Sequence, residues 1–81
     1  MDAELRAIFA QILKLEPDEV DDGLSPRTNE NWDSFGTVEL VSAVEERFSV
    51  QLEIAELAEF TSFGAVKRLL EKRMAPGRGR A

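Results

Sequence analysis

The sequence of 81 residues predicts an all-α domain, a four-helix bundle of three longer helices and one short helix. Apolar residues recur at helical spacing in separate stretches, and residues that begin or end helices divide those stretches. The stretch 49–52 reads as a short strand but has no second strand to pair with, so we predict a loop there. A chain of this length supports one modest core. We therefore expect a single domain over 1–74 and a flexible C-terminal tail over 75–81.

The first helix is predicted over 2–15. Apolar residues recur there at the spacing of one helix face: Leu5, Ile8, Phe9, Ile12 and Leu13. Pro17 disfavours helical geometry in the residue before it, so the helix ends ahead of Pro17. The segment 16–33 is rich in acids and turn residues and is predicted to be a loop. Because so long a loop is unusual in a compact domain, we expect apolar residues to pin it to the core: Val20, Leu24 and Trp32.

The second helix is predicted over 34–48, and its residues divide into two faces when they are placed 100° apart. The face toward the core holds Thr37, Leu40, Val41, Val44 and Phe48. The opposite face begins at Ser34 and holds Phe35, Val38, Glu39, Ser42, Glu45 and Glu46. A few apolar side chains inside a rim of carboxylates suit the docking of a basic partner protein.

Two further helices complete the predicted bundle. A short helix of about two turns is indicated by Ile54, Leu57 and Ala58, and Thr61 and Ser62 offer a cap for the last helix. The last helix bears Phe63, Val66, Leu69 and Leu70. The predicted core consists of Leu5, Ile8, Ile12, Leu40, Val44, Phe48, Ile54, Leu57, Val66 and Leu69.

Composition excludes several classes of active site. The chain has no cysteine and no histidine, which excludes thiol nucleophiles, disulfides and serine–histidine mechanisms. A domain of this size has no room for both a core and a large catalytic cavity, so we expect a protein that is not an enzyme. Asp18, Asp22 and Gly23 match part of a calcium-binding loop, but Val20 and Asn29 stand at two ligand positions. No metal site is therefore predicted.

Charge is distributed unevenly along the chain. The formal net charge is −6, but residues 1–66 carry 15 acids and 4 bases, whereas residues 67–81 carry 1 acid and 6 bases. So acidic a folded part repels nucleic acid and anionic lipid and attracts basic proteins. The sequence has no stretch of roughly 20 apolar residues and no basic flank of a signal peptide, so we expect a monomeric cytoplasmic protein without membrane contact.

Ser34 is the candidate functional residue. Asp33 and Ser34 both suit the start of a helix, because a short oxygen-bearing side chain accepts a hydrogen bond from a free backbone N–H group. One interpretation is that Ser34 is only a cap and that the acidic face belongs to an unmodified interaction module. The position of Ser34 at the head of the exposed face favours a further role.

The segment 5–70 resembles the acyl carrier protein family, the phosphopantetheine-bearing carriers of fatty acid, polyketide and nonribosomal peptide assembly. The most specific part is Asp33-Ser34-Phe35, which is similar to the family's Asp-Ser-Leu attachment motif. The residues 37–41 (TVELV) and 44–48 (VEERF) extend the similarity along the second helix. The size, the acidic balance and the four-helix pattern agree with it.

The resemblance implies that Ser34 receives 4′-phosphopantetheine from coenzyme A and that the chain carries acyl groups as thioesters on this arm. A phosphodiester suits the N-terminus of a helix, which is electropositive and has unpaired N–H groups. The implied partners are a phosphopantetheinyl transferase and enzymes that load, transfer or condense acyl groups. The residues implied to recognise them are Asp33, Phe35, Val38, Glu39, Ser42, Glu45 and Glu46.

Three departures from the family pattern favour a specialised or secondary-metabolite pathway over housekeeping fatty acid synthesis. Phe35 replaces the commoner leucine, Gly36 stands where a polar residue is frequent, and Arg47 interrupts the acidic run. Glycine is expected to weaken the first turn by about 1 kcal/mol and to leave the segment around Ser34 more mobile. A carrier of aminoacyl or small hydroxyacyl groups stays open as an alternative, because partner enzymes largely choose the cargo. The start at Met1 favours a stand-alone carrier.

Overall fold

The computed structural model describes residues 2–74, and the predicted tail over 75–81 lies outside them. Four α-helices follow one another along the chain: α1 at Asp2–Leu13, α2 at Ser34–Phe48, α3 at Ile54–Leu57 and α4 at Phe63–Met74. The part of the chain that the structure describes contains no strand. The predicted all-α fold, with three longer helices and one short helix, is confirmed.

The first two helices, α1 and α2, end in the same way. Lys14 after α1 and Ser49 after α2 adopt left-handed backbone conformations, with φ of 60° and 54°. The N–H group of the following residue then bonds back to the helix, from Leu15 to the carbonyl of Ala10 at 2.8 Å and from Val50 to the carbonyl of Glu45 at 3.2 Å. This termination ends α1 two residues before the predicted boundary.

The core is built around one aromatic cluster. Phe9 of α1 packs edge-on against Trp32 and Phe63, with ring centroids 5.3 and 5.1 Å apart. Leu40 and Val44 of α2 are fully buried in the same core. The buried residues also include Leu5, Leu13, Val20, Leu24, Leu52, Phe60, Val66, Leu69 and Leu70, while Ile8, Ile12, Phe48 and Leu57 pack against them in part.

The long connection between α1 and α2 packs against the bundle. Its apolar residues Val20, Leu24 and Trp32 are buried in the core, as predicted. It contains one 3₁₀ turn at Pro17–Glu19, where the sequence pattern predicts only a loop. Its backbone accepts two hydrogen bonds from the start of α4, from Phe63 N to the Leu24 carbonyl and from Gly64 N to the Asp22 carbonyl.

Side chains reinforce the start of α4. Lys67 donates to the carboxylate of Asp22 at 3.0 Å, and this hydrogen bond raises the pKa of Lys67. Ser62 caps α4, accepting from Ala65 N at 3.0 Å, as predicted.

Within residues 2–74, no helix combines the length and the apolar character that a bilayer crossing needs. The same residues contain no group of three or more acidic side chains placed to hold a metal ion.

One predicted core residue is wrong. Ile54 is 86% exposed, and α3 is a single turn instead of about two, with Ala58 as its C-terminal cap. Leu52 and Phe60 supply the buried apolar side chains on either side of this turn, and Leu57 packs against the core in part. The first residue of the turn therefore does not face the core.

A pair of alanine substitutions distinguishes the exposed position of Ile54 from the buried position of Leu40. Ile54→Ala is expected to change the free energy of unfolding by less than about 0.5 kcal/mol, because its side chain is already exposed. Leu40→Ala removes a fully buried side chain and is expected to cost about 2–5 kcal/mol. Urea unfolding followed by far-ultraviolet circular dichroism measures both. A large loss of stability in Ile54→Ala would contradict the exposed position of this residue.

Candidate functional site

Ser34 is the first residue of α2, and its side chain is exposed. Asp33 is the N-terminal cap of the helix: its backbone is extended, and its carboxylate accepts from Gly36 N at 2.8 Å. The interpretation of Ser34 as the cap is therefore wrong. Among residues 2–74, the hydroxyl of Ser34 has no hydrogen-bond partner. Modification of this hydroxyl would break no contact that holds the helix.

The surroundings of Ser34 suit an anionic group. A helix of 15 residues places the positive end of its dipole at this residue. The first N–H groups of a helix have no intrahelical partner, and Asp33 bonds that of Gly36 alone. Polar backbone groups beside an exposed hydroxyl therefore fit the covalent phosphodiester that the resemblance implies.

The two predicted faces of α2 are separated in the structure. On the face of Ser34, Phe35 is 71% exposed and Val38 is 61% exposed. Glu39, Ser42 and Glu46 are exposed on the same predicted face. The opposite face supplies the two helix residues that are buried in the core, Leu40 and Val44, with Thr37, Val41 and Phe48 half-buried beside them. An apolar patch with an acidic rim thus extends from Ser34 along the helix.

Two charged residues of α2 have partners within the chain. The carboxylate of Glu45 accepts from Leu52 N at 2.8 Å and is half-buried, so it holds the segment that follows the helix. Its part in partner recognition stays a prediction. Arg47 forms an ion pair with Glu4 of α1 at 2.8 Å. Arg47 is therefore directed toward α1.

Residues on either side of Ser34 fix its place through contacts that the sequence pattern does not predict. Asn31 donates through Nδ2 to the carbonyl of Leu13 at 3.1 Å, at the end of α1. Trp32 is 1% exposed, and its indole N–H donates to Oγ1 of Thr37 at 3.0 Å. The segment before α2 is thus bonded both to α1 and to the first turns of α2.

Gly36 has a packing role instead of the loosening expected from its helix propensity. It is buried, and a Cβ atom added there would lie 2.4 Å from the carbonyl oxygen of Asn31. Only a residue without a side chain allows the segment before α2 to approach so closely. The signal in the sequence was a glycine in the first turn of an otherwise regular helix.

Comparison with known proteins gives one family. A family model described as phosphopantetheine attachment site matches residues 3–70, from α1 into α4. A search of curated proteins found no match. Domains of this family carry covalently attached 4′-phosphopantetheine and are in general carriers, not enzymes. They work with phosphopantetheinyl transferases and biosynthetic enzymes. Since the matched family, the all-helical fold and the exposed serine at the head of α2 agree, this chain belongs to the phosphopantetheine attachment site family of carrier proteins.

Proposed function

We propose that this carrier holds acyl intermediates as thioesters on a 4′-phosphopantetheine arm attached to Ser34. The observation that supports Ser34 is its exposed hydroxyl, which has no partner among residues 2–74 and stands at the first position of α2. The arm supplies a terminal thiol, which bears the acyl group. The chain itself presents the serine and offers the surface on which partner enzymes dock.

The other serines are less suitable attachment sites. The hydroxyls of Ser25 and Ser62 accept backbone hydrogen bonds from Arg27 N and Ala65 N. Ser42 is exposed in the middle of α2, where the helix itself uses the N–H groups. Ser49 follows the last turn of α2, at the negative end of its dipole. Ser34 alone among these serines combines an open hydroxyl with the positive end of a long helix.

Partner recognition is proposed for the exposed face of α2. Its apolar part consists of Phe35, Val38 and Ser42, its acidic rim consists of Glu39, Glu45 and Glu46, and Asp33 lies beside Ser34. The excess of acids over residues 1–66 would steer basic enzyme surfaces toward this face. The apolar side chains would then be buried in the complex. In this proposal the carrier acts as a cytoplasmic monomer.

A specialised or secondary-metabolite pathway stays part of the proposal, but only one of the three departures from the family pattern still supports it. Gly36 is explained by its contact with Asn31, and Arg47 by its ion pair with Glu4. The remaining departure is Phe35, which is exposed next to Ser34 and would meet every partner enzyme. Efficient chain extension on this carrier by fatty acid synthase enzymes would contradict the pathway proposal.

Intact mass spectrometry tests the attachment. The purified chain is incubated with coenzyme A and a broad-specificity phosphopantetheinyl transferase, and an established carrier is modified alongside. We expect the mass of one arm, mapped to Ser34 by peptide fragmentation. An adduct on another residue would overturn the assignment of Ser34, and no adduct on the folded chain would overturn the carrier proposal.

Loading of the modified chain then distinguishes the classes of cargo. Acyltransferases and condensing enzymes are compared with adenylating enzymes that activate amino or hydroxy acids. Thioesters formed only by the adenylating enzymes would replace the acyl proposal by the aminoacyl or hydroxyacyl alternative.

A further inference from the structure

We infer that Gly36 and Asn31 are positioning residues for the modification of Ser34, because the contact between them fixes how the first turn of α2 presents the serine hydroxyl. The inference rests on the proposed attachment at Ser34. Neither residue needs to touch coenzyme A or the transferase. Their effect would pass through the backbone of Asn31 and the first turn of the helix.

The contact leaves no space for a side chain at Gly36. An added Cβ atom would lie 2.4 Å from the oxygen and 3.4 Å from the carbon of the Asn31 carbonyl group. Carbon and oxygen atoms that are not bonded do not approach to 2.4 Å, and no side-chain rotation moves a backbone atom away. Gly23 offers a contrast, since a Cβ atom there would meet only the Asp21 carboxylate at 3.7 Å.

The Asn31 side of the contact is held in place. The side chain of Asn31 donates through Nδ2 to the carbonyl of Leu13 at 3.1 Å. The backbone N–H of Asn31 donates to Oδ1 of Asn29 at 2.8 Å. The next residue, Trp32, is buried against Phe9 and bonded to Thr37. Moving the Asn31 carbonyl would disturb these contacts together. A side chain at position 36 would therefore displace the first turn of α2, which contains Ser34.

The reaction at Ser34 depends on that turn. In the transfer, the serine Oγ forms a bond to phosphorus of coenzyme A, the bond from phosphorus to the adenosine 3′,5′-bisphosphate breaks, and the serine proton passes to a base of the transferase. A displacement of about 1 Å in a reacting atom costs on the order of 100-fold in rate. Asp33 and Phe35 of the proposed docking face lie in or beside that turn, whereas Val38, Glu39, Ser42, Glu45 and Glu46 lie further along the helix, so KM for the carrier is expected to change less than kcat.

The test compares Gly36→Ala with the matched variant Gly23→Ala in the transferase reaction. Gly36→Ala is expected to lower kcat by about 10- to 100-fold, with KM for the carrier changed by less than about 3-fold. Gly23→Ala is expected to leave both parameters unchanged. Glu39→Gln, on the proposed docking face, should raise KM with kcat retained. A folded Gly36→Ala protein with the wild-type kcat, or with a raised KM alone, would overturn the inference.

A second variant keeps the inference testable when Gly36→Ala fails to fold. Asn31→Asp retains the size of the side chain but faces the carbonyl of Leu13 with an oxygen instead of a donor. The expected result is again a lowered kcat with an unchanged KM, and an unchanged kcat in the folded variant would overturn the inference. Absence of wild-type modification at Ser34 would instead refute the proposed function, and this is measured first.

Discussion

Ser34→Ala abolishes attachment of the phosphopantetheine arm, whereas Ser49→Ala accepts one arm as the wild type does. This is the largest effect expected for any single substitution, because the first change removes the oxygen that would form the bond to phosphorus. Ser49 is the matched control, since it is an exposed serine at the other end of α2 and lies outside the proposed docking face. Intact mass spectrometry of both variants after incubation with coenzyme A and a transferase measures the result.

Stability measurements separate chemistry from folding in this comparison. The Ser34 hydroxyl has no partner among residues 2–74, so Ser34→Ala is expected to change the free energy of unfolding by less than about 0.5 kcal/mol. Asp33→Ala removes the helix cap and is expected to cost about 1 kcal/mol. An arm attached to Ser34→Ala at the wild-type rate would show that another residue is the attachment site.

Trp32→Ala removes about 3–5 kcal/mol from the free energy of unfolding. The side chain is 1% exposed and packs edge-on against Phe9, and its indole N–H is bonded to Thr37. Domains of this length have a total stability of about 4–12 kcal/mol. The substitution is therefore expected to remove a large part of it and to leave a measurable unfolded population without denaturant.

Urea unfolding followed by far-ultraviolet circular dichroism tests this prediction, because the variant has no tryptophan to observe. Thr37→Val provides a graded comparison: it removes only the acceptor of the indole N–H and is expected to cost about 1–3 kcal/mol. A wild-type urea midpoint in Trp32→Ala would mean that the segment before α2 contributes little to the fold.

The parts of the fold that were predicted correctly are those with local signals. The observed α2, at Ser34–Phe48, has the predicted bounds, because an oxygen-bearing cap precedes it and four turns repeat the buried positions of Leu40 and Val44. Ile54 was misplaced for the opposite reason. A helix of one turn does not repeat its pattern, so its residues do not define a buried face.

The parts of the site that were missed depend on contacts between distant segments. Helix propensity assigns Gly36 only a cost, whereas its role depends on the approach of the Asn31 carbonyl. The position of Glu45 on the exposed face predicts a solvated carboxylate. In the structure this carboxylate accepts a hydrogen bond from Leu52 N in the segment after α2. Ser34 became the candidate residue because its sequence neighbours, its charge surroundings and its helix position all carry local information.

Trp32 is an intrinsic fluorescence probe of the head of α2. The chain contains one tryptophan and no tyrosine, so its ultraviolet emission comes from a single indole. That indole is bonded to Thr37, one turn beyond Ser34. An event that moves the head of α2 would alter the surroundings of this fluorophore. A difference in tryptophan emission between the purified chain with and without the arm would therefore report a movement at the head of α2.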